Sequence, residues 1–448
     1  MKRFILEQSE TETLTSHSGL ALAGLFLNRF VDLDGALEQA IPLRHGVSHG
    51  DLTKVYVGLL CLGKSDFEAV ENFRDDRYFQ DVLGIDRMPS SARLRQRFDD
   101  HAQAMLEVLY ESSIGILENA EVPVTPLAMG HVALDIDVFP MDNSKTKKEG
   151  VSRTYKGFDG YAPIAVYLGQ EGWCLGCELR EGQQHCQNEF LYTLERAIAN
   201  ARRLTDAPLL VRLDGGHDAL DTRIALAEAQ VDFILKWNPR RQDRAVWLER
   251  AEAEVAAGRA QWETPRPGKR VAVFSTDETQ TRNDESYQFR RVMRITERTI
   301  DKHGQRLLLP EVELEGWWSR LNPADHSDAA IIALYKDHAT SEQFHSEFKT
   351  DLDIERLPSG KFNTNDLIMT LAAISYNCLR WIGLIGLLGG LSPIRHPAER
   401  RRLKTVMQEL MYLAARVIRS GRRLKLRFAR HCPAFAAFEA VYARLAYG

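Results

Sequence analysis

Over the first 128 residues the apolar positions recur at helical spacing. They do so in GLALAGLFLNRF (19–30), DLTKVYVGLLCLG (51–63) and SSARLRQRFDDHAQAMLEVLYESS (90–113). Ser90 or Ser91, just after Pro89, is placed to cap the last of these. The period then changes to two. Residues 131–139 alternate Val132, Leu134, Ile136 and Val138 with Ala133, Asp135, Asp137 and Phe139, the mark of a half-buried strand with both aspartates on one face. A hairpin is expected around Cys174–Cys177, then a helix near 188–203 and a short apolar strand, PLLVRLD (208–214). That strand ends in Asp214 before Gly215 and Gly216. A helix over 217–229 and a strand over 231–237 follow. From residue 238 to about 321 the pattern becomes one of long alternating strands, with 287–301 and 305–318 joined by a turn at 302–304. Residues 364–392 and 398–447 read as apolar-rich helices.

This order predicts a mixed α/β protein. Its parts are a helical N-terminal region (1–128), a core in two pieces (129–238 and 323–392), a β-rich insertion (239–322) and a basic helical C-terminal region (393–448).

Composition changes the picture in three places. The chain has 448 residues, 44% hydrophobic and 27% charged, enough for two or three domains with real cores. A net charge of −4 argues against nucleic acid as a partner, but residues 395–430 hold twelve Lys/Arg against two acidic residues, Glu399 and Glu409. Such a stripe can neutralise phosphates, with Arg419, Arg422 and Arg423 as its candidate DNA contacts. Arg93, Arg95 and Arg97 open the third N-terminal helix after a short turn, compatible with a helix-turn-helix facing DNA. The six cysteines lack regular spacing, which indicates reduced thiols in a cytosolic setting. Cys174 and Cys177 lack a second C-x2-C pair, so packing rather than zinc is expected. The N-terminus lacks an apolar h-region, and the run 382–391 is too short to span a bilayer.

Candidate chemistry concentrates in YKDHATSEQFHSEFK (335–349). On a single helix at 100° per residue, Tyr335, His338, Glu342 and Lys349 share an arc of about 60°. A hydroxyl, an imidazole, a carboxylate and an ammonium on one face suit a site that handles a metal ion together with phosphate oxygens. Glu347 would lie about 140° around the helix from Glu342. Partner carboxylates lie upstream, Asp135 or Asp137 on a strand and Asp214 at a strand end next to glycines.

The spacing Y-(2)-H-(3)-E-(6)-K resembles the Y-(2)-R-(3)-E-(6)-K signature of insertion-sequence transposases with a DDE active site, with His338 where that pattern has arginine. The segments LDID, GYAPIAVYLGQEGWCLGCELREG, VRLDGG and RLPSGKFNTN, then the 377–380 stretch, are similar in kind and order to that family over roughly 130–431. The resemblance implies an RNase H-like catalytic core with an inserted β domain, and carboxylates at Asp137, Asp214 and Glu342. The family often has Ser or Thr two residues after its first Asp. Phe139 stands there in this chain and keeps Asp135 open as the alternative.

The resemblance further implies two Mg2+ ions (or Mn2+) about 3.5–4 Å apart and double-stranded DNA as partner. Lys349, Tyr335 and His338 would lie near phosphate, with Trp318 of the insertion as a base-stacking candidate. A homodimer on DNA is expected from the mechanism, in a cytoplasmic, DNA-associated protein. A nuclease without strand transfer would need neither the insertion nor the basic tail, and a DNA-binding protein without catalysis would not need three carboxylates.

Overall fold

The computed structural model describes residues 3–393, 398, 400–421 and 423–447. Its centre is one nine-stranded sheet: β1 (Val132–Val138), β2 (Ile164–Leu168), β3 (Trp173–Glu178), β4 (Leu209–Leu213), β5 (Asp232–Lys236), β6 (Trp262–Arg266), β7 (Lys269–Arg282), β8 (Glu285–Ile300) and β9 (Arg306–Ser319). The order across the sheet is β6-β7-β8-β9-β5-β4-β1-β2-β3. β1, β4 and β5 run parallel, and the other neighbours are antiparallel. The half β3-β2-β1-β4-β5, with helices Phe190–Leu204 and Leu220–Glu228 as crossovers, is the RNase H-like core.

The insertion is not a separate β body. Trp317 and Trp318 of β9 pair with Lys236 and Leu235 of β5, so its strands prolong the core sheet. It also begins with a helix, Arg244–Ala256, where the sequence pattern suggested strands. RAVWLERAEAEVA is rich in Ala and Glu, good helix formers, and Asp243 caps its start by accepting from Ala245 N–H. β7 and β8 meet at a two-residue turn, Asn283-Asp284, with φ of 48° and 65°. Asn and Asp tolerate this left-handed backbone, and its twist matches that of the strands it joins.

The adjacent tryptophans face opposite sides of the sheet, as alternation requires, but neither is exposed. Trp317 packs with Leu210, Ile234, Val292 and Ile331 under helix Asp328–Lys336. Trp318 is 3% exposed, with the guanidinium groups of Arg223 and Arg291 4.4 and 4.8 Å from its ring centroid. Trp318, the base-stacking candidate, is thus buried in this structure.

The other face of the sheet, with Leu134, Ile136, Val211, Leu213 and Phe233, joins a core shared with the N-terminal helices Leu20–Phe30, His49–Leu60 and Ser91–Asn119. Ser90 caps the last of these by accepting from Arg93 N–H. Arg95 is drawn to Glu68 at 2.5 Å and Arg97 to His49 at 2.7 Å. Helix Phe362–Gly386 is long and apolar enough to cross a membrane, yet it is almost wholly buried inside this core. It also holds the edge of the sheet: Asn377 accepts from Cys174 N–H (2.9 Å) and donates to Cys174 C=O (2.8 Å), much as a further strand would. Cys174 and Cys177 are buried packing residues, and all six cysteines are free thiols.

The C-terminal region differs from its helical expectation. Ala415–Ser420 and Arg423–Phe428 form an antiparallel hairpin, which pairs with a short strand at Thr13–Thr15. The alternation of Leu424, Leu426 and Phe428 with Arg423, Lys425 and Arg427 has a period of two, and Gly421 turns the chain at φ +59°. Arg419 pairs with Asp81, Arg423 is exposed, and Arg422 lies outside the described residues, as do 395–397 and 399 of the basic stripe.

Replacing Asn377 with Leu would leave the Cys174 N–H and C=O unpaired in a buried setting. The free energy of unfolding should fall by roughly 2–5 kcal/mol, read as a lower denaturant midpoint with an unchanged slope. A change below about 0.5 kcal/mol would mean that the β3 edge is satisfied some other way.

Candidate active site

The site grows from the register of three parallel strands. Asp135 of β1 stands opposite Arg212 of β4, and Arg212 stands opposite Ile234 of β5. Side chains two residues on share that face, so continuing the register puts Asp137, Asp214 and Lys236 in one row at the carboxyl ends of these strands. Ligand sites in such sheets form where these strand ends open.

The first row is a closed ion pair. Arg212 donates through Nε and Nη2 to the two oxygens of Asp135, both at 2.6 Å, and through Nη1 to the Leu334 carbonyl at 3.0 Å. His338 Nδ1 stands 3.0 Å from the same Asp135 Oδ1. Burial raises the pKa of Asp135, but the charges of Arg212 and then His338 outweigh it and hold the carboxyl at about 2. For His338 burial acts the other way, and the Asp135 carboxylate overcomes it to raise the imidazole above 6.5. Asp135, with a side chain only 3% exposed, has no free oxygen to offer a ligand.

The second row holds two carboxylates side by side. Burial, followed by the charge of Asp137, pushes the Asp214 carboxyl above its ordinary value. Asp137 is pushed up by burial too, but His345, then His338 and the Val138 N–H, more than offset this and the carboxyl is net lowered. His345 Nε2 lies 3.4 Å from Asp137 Oδ2, at an angle short of a full hydrogen bond, while its Nδ1 is 3.4 Å from the Tyr167 hydroxyl. Phe139 stacks on the His345 ring with centroids 4.6 Å apart. The bulky residue two places after Asp137 thus seats the imidazole that borders it.

Glu342 comes from across the cleft, and here the expected single helix over 335–349 is corrected. Helix Asp328–Lys336 tightens into a 3-10 turn at Asp337–Ala339, resumes as an α-helix over Thr340–Ser346 and widens into a π-turn at Glu347–Asp351. The tightening falls where Arg212 holds the Leu334 carbonyl and Asp135 holds His338. The widening falls where Glu347 is buried, 2.8 Å from Arg380, bonded to Arg400 and accepting from Leu403 N–H at 3.0 Å. Phe344 seats the intervening helix on Gly172 of the β2–β3 turn. That glycine has φ +70°, and a Cβ there would lie 2.3 Å from the Phe344 ring.

Despite the breaks, Asp137, Asp214, Glu342, Tyr335, His338 and Lys349 all line one cleft of about 760 Å3. No Lys or Arg is ion-paired to Asp137, Asp214 or Glu342 among the described residues, and Glu342 is exposed. Hard oxygen donors without a Lys or Arg partner fit a divalent cation in kind. Among the described residues, no three acidic, His or Cys side chains converge tightly enough to hold one ion. Asp137 and Asp214 are the adjacent pair, and Glu342 faces them from the opposite wall.

A family model described as Transposase DDE domain group 1 matches residues 2–447. The chain belongs to this family. A piggyBac transposase synaptic complex with hairpin DNA, solved by cryo-EM, aligns with 88% of this chain and 79% of its own at 9% identity and a TM-score of 0.40. Curated proteins gave no match.

Several residues of this transposase cleft were not singled out from sequence: Lys236, Arg294, Tyr155, Lys156 and His345. Lys236 had a signal, as a lone cation ending a strand next to the one that ends in Asp214. His345 had none, because its place depends on how the 340–346 helix docks. Trp318, Arg419 and Arg423 are not among the cleft-lining residues.

Asp135 and Asp137 should separate by stability. Asp135→Asn breaks a buried pair and should lower the unfolding free energy by about 3–5 kcal/mol, whereas Asp137→Asn should leave the denaturant midpoint nearly unchanged. Because the folded pKa of Asp135 is depressed to about 2, its contribution is fully present above the unfolded value of 3.8 and fades as pH falls toward 2. Wild type and Asp135→Asn should therefore converge in stability on acidification, and equal midpoints at pH 7 would remove the pair's structural role.

Proposed function

We propose that this transposase cuts DNA at the ends of its mobile element and joins those ends to target DNA, with Asp137, Asp214 and Glu342 as its catalytic residues. The observation that carries this reading is a like-charge pair at strand ends, unpaired by Lys or Arg among the described residues, facing a third exposed carboxylate in a cleft also lined by Lys236 and Lys349. These oxygens suit Mg2+, with Mn2+ as a substitute. Two such ions, when bound, supply activation of a water or 3′-hydroxyl and stabilisation of the leaving oxygen.

The chain's own residues do the rest. Asp137 and Asp214 hold the cation side of the site, and Asp137 is chosen over Asp135 because Arg212 and His338 occupy the latter. Tyr335 offers a hydroxyl whose pKa is raised by burial and then by Asp214 and Asp137, so it stays protonated and donates toward phosphate. Lys349, 3.7 Å from Glu355, brings positive charge to the same wall. His338, raised toward its charged form by Asp135, stands where the family signature has a cation. Double-stranded DNA would be gripped beyond the cleft by exposed cations such as Arg93 and Arg423. Joining two ends calls for two copies on DNA, and the working location is wherever that DNA is.

Asp214→Asn and Glu342→Gln should each lower Mg2+-dependent nicking of element ends by at least roughly a thousandfold, while DNA affinity measured in EDTA stays within a few-fold of wild type. Wild-type nicking rates in either variant would sink this assignment.

A further inference from the structure

The stretch between β1 and β2 carries chemistry that the reaction above does not use. Met141–Asp142, Ser152–Arg153 and Asp159–Tyr161 pair into a small sheet beside the cleft. Between residues 143 and 158 lie Lys145, Lys147, Lys148, Arg153 and Lys156, against the single acidic Glu149. Lys148 is turned inward, donating to Asn143 Oδ1 at 3.1 Å and to the Leu357 carbonyl. Lys145, Lys147, Arg153 and Lys156 are exposed.

Tyr155 stands at the tip of this lobe and lines the cleft with Lys156. It is 69% exposed, whereas Phe139 and Trp317 of the same wall are buried and Tyr335 is partly covered. The Lys156 ammonium is 5.9 Å from the Tyr155 ring centroid, and the exposure leaves the ring open to solvent. Burial, then the charges of Asp137 and Asp214, push its hydroxyl up to about 12. Tyr155 thus lines the same cleft as Asp137, Asp214 and Glu342 with most of its ring exposed.

An open aromatic face flanked by cations is the make-up of a platform for single-stranded nucleic acid. Stacking on the ring is indifferent to sequence, while the cations follow the backbone. A base inside a duplex is covered on both faces and cannot reach such a ring; an unpaired base at a strand end can. We propose that Tyr155 stacks an unpaired base of the DNA strand that enters the cleft, with Lys156 and Arg153 holding its neighbouring phosphates. This rests on the reading of the cleft as the place where DNA is cut.

The test uses the full chain in EDTA with two probes, a blunt duplex and the same duplex bearing a short single-stranded tail with 2-aminopurine at the first unpaired position. Wild type and Tyr155→Phe should quench the 2-aminopurine and prefer the tailed probe. Tyr155→Ala, at an exposed position, should keep the wild-type melting temperature, lose the quenching and bind the tailed probe roughly tenfold more weakly, with blunt-duplex affinity unchanged. Arg153→Gln with Lys156→Gln should reduce the salt slope for the tail by about 0.7 for each phosphate no longer neutralised. Undiminished quenching and affinity in Tyr155→Ala, or equal losses on both probes, overturns the platform, and an unchanged salt slope overturns the phosphate contacts. The two readings fail separately. If wild type cuts element ends in Mg2+ while Tyr155→Ala still quenches, the platform falls and the function stands. If wild type quenches through Tyr155 but cuts no end, the function falls and the platform stands.

Discussion

The buried pair between Asp135 and Arg212 is the constraint on which the site depends. It ties β1 to β4 in register, and through the Leu334 carbonyl and His338 it fastens the segment 328–346 onto the same face of the sheet. A guanidinium and a carboxylate removed from water hold together only if their remaining hydrogen-bonding capacity is also met, and here the carbonyl and the imidazole meet it. The geometry so fixed is strict: one register step along, the same two strands place Asp137 beside Asp214. An attractive pair closed by its partners stands one register step behind a like-charge pair that has no Lys or Arg partner among the described residues.

A second buried charge network fixes the far end of the same segment. Glu347 is enclosed by Arg380, Arg400 and the Leu403 N–H, and Asp351 by Arg402 at 2.9 Å. Between these two anchors the chain passes through a 3-10 turn, an α-helix and a π-turn. Changes of helical pitch rotate side chains about the axis, so the direction of Glu342 is set by the anchors rather than by the periodicity of its own helix. The sheet supplies the opposite wall, with β5 and the insertion strands adding Lys236, Arg294 and Glu315 to the cleft. The insertion reaches the site because it is hydrogen-bonded to the core, and Arg223 and Arg291 stacked on Trp318 stiffen that join.

Much of the fold was legible in the sequence because the strands alternate cleanly and the helices carry clear apolar stripes. The strand with Asp137, the strand ending at Asp214 before two glycines and the core helices lie within a few residues of where the pattern puts them. Two segments misled for local reasons. The stretch 244–256 sits between strands yet has the composition of a helix, and 415–428 is so rich in Arg and Lys that charge masked its period of two.

By itself the sequence determined which residues could do the chemistry: carboxylates at strand ends, a helix-borne glutamate and cations at a recurring spacing are local properties of the chain. Only the tertiary structure gave Asp135 and Asp137 different surroundings, since two aspartates on one strand face are alike until a partner strand brings arginine to one and another aspartate to the other. It likewise covered Trp318 and exposed Tyr155. The physical reason is that burial and ion pairing are made between segments far apart in the chain, and no local pattern records which charge a distant strand will meet.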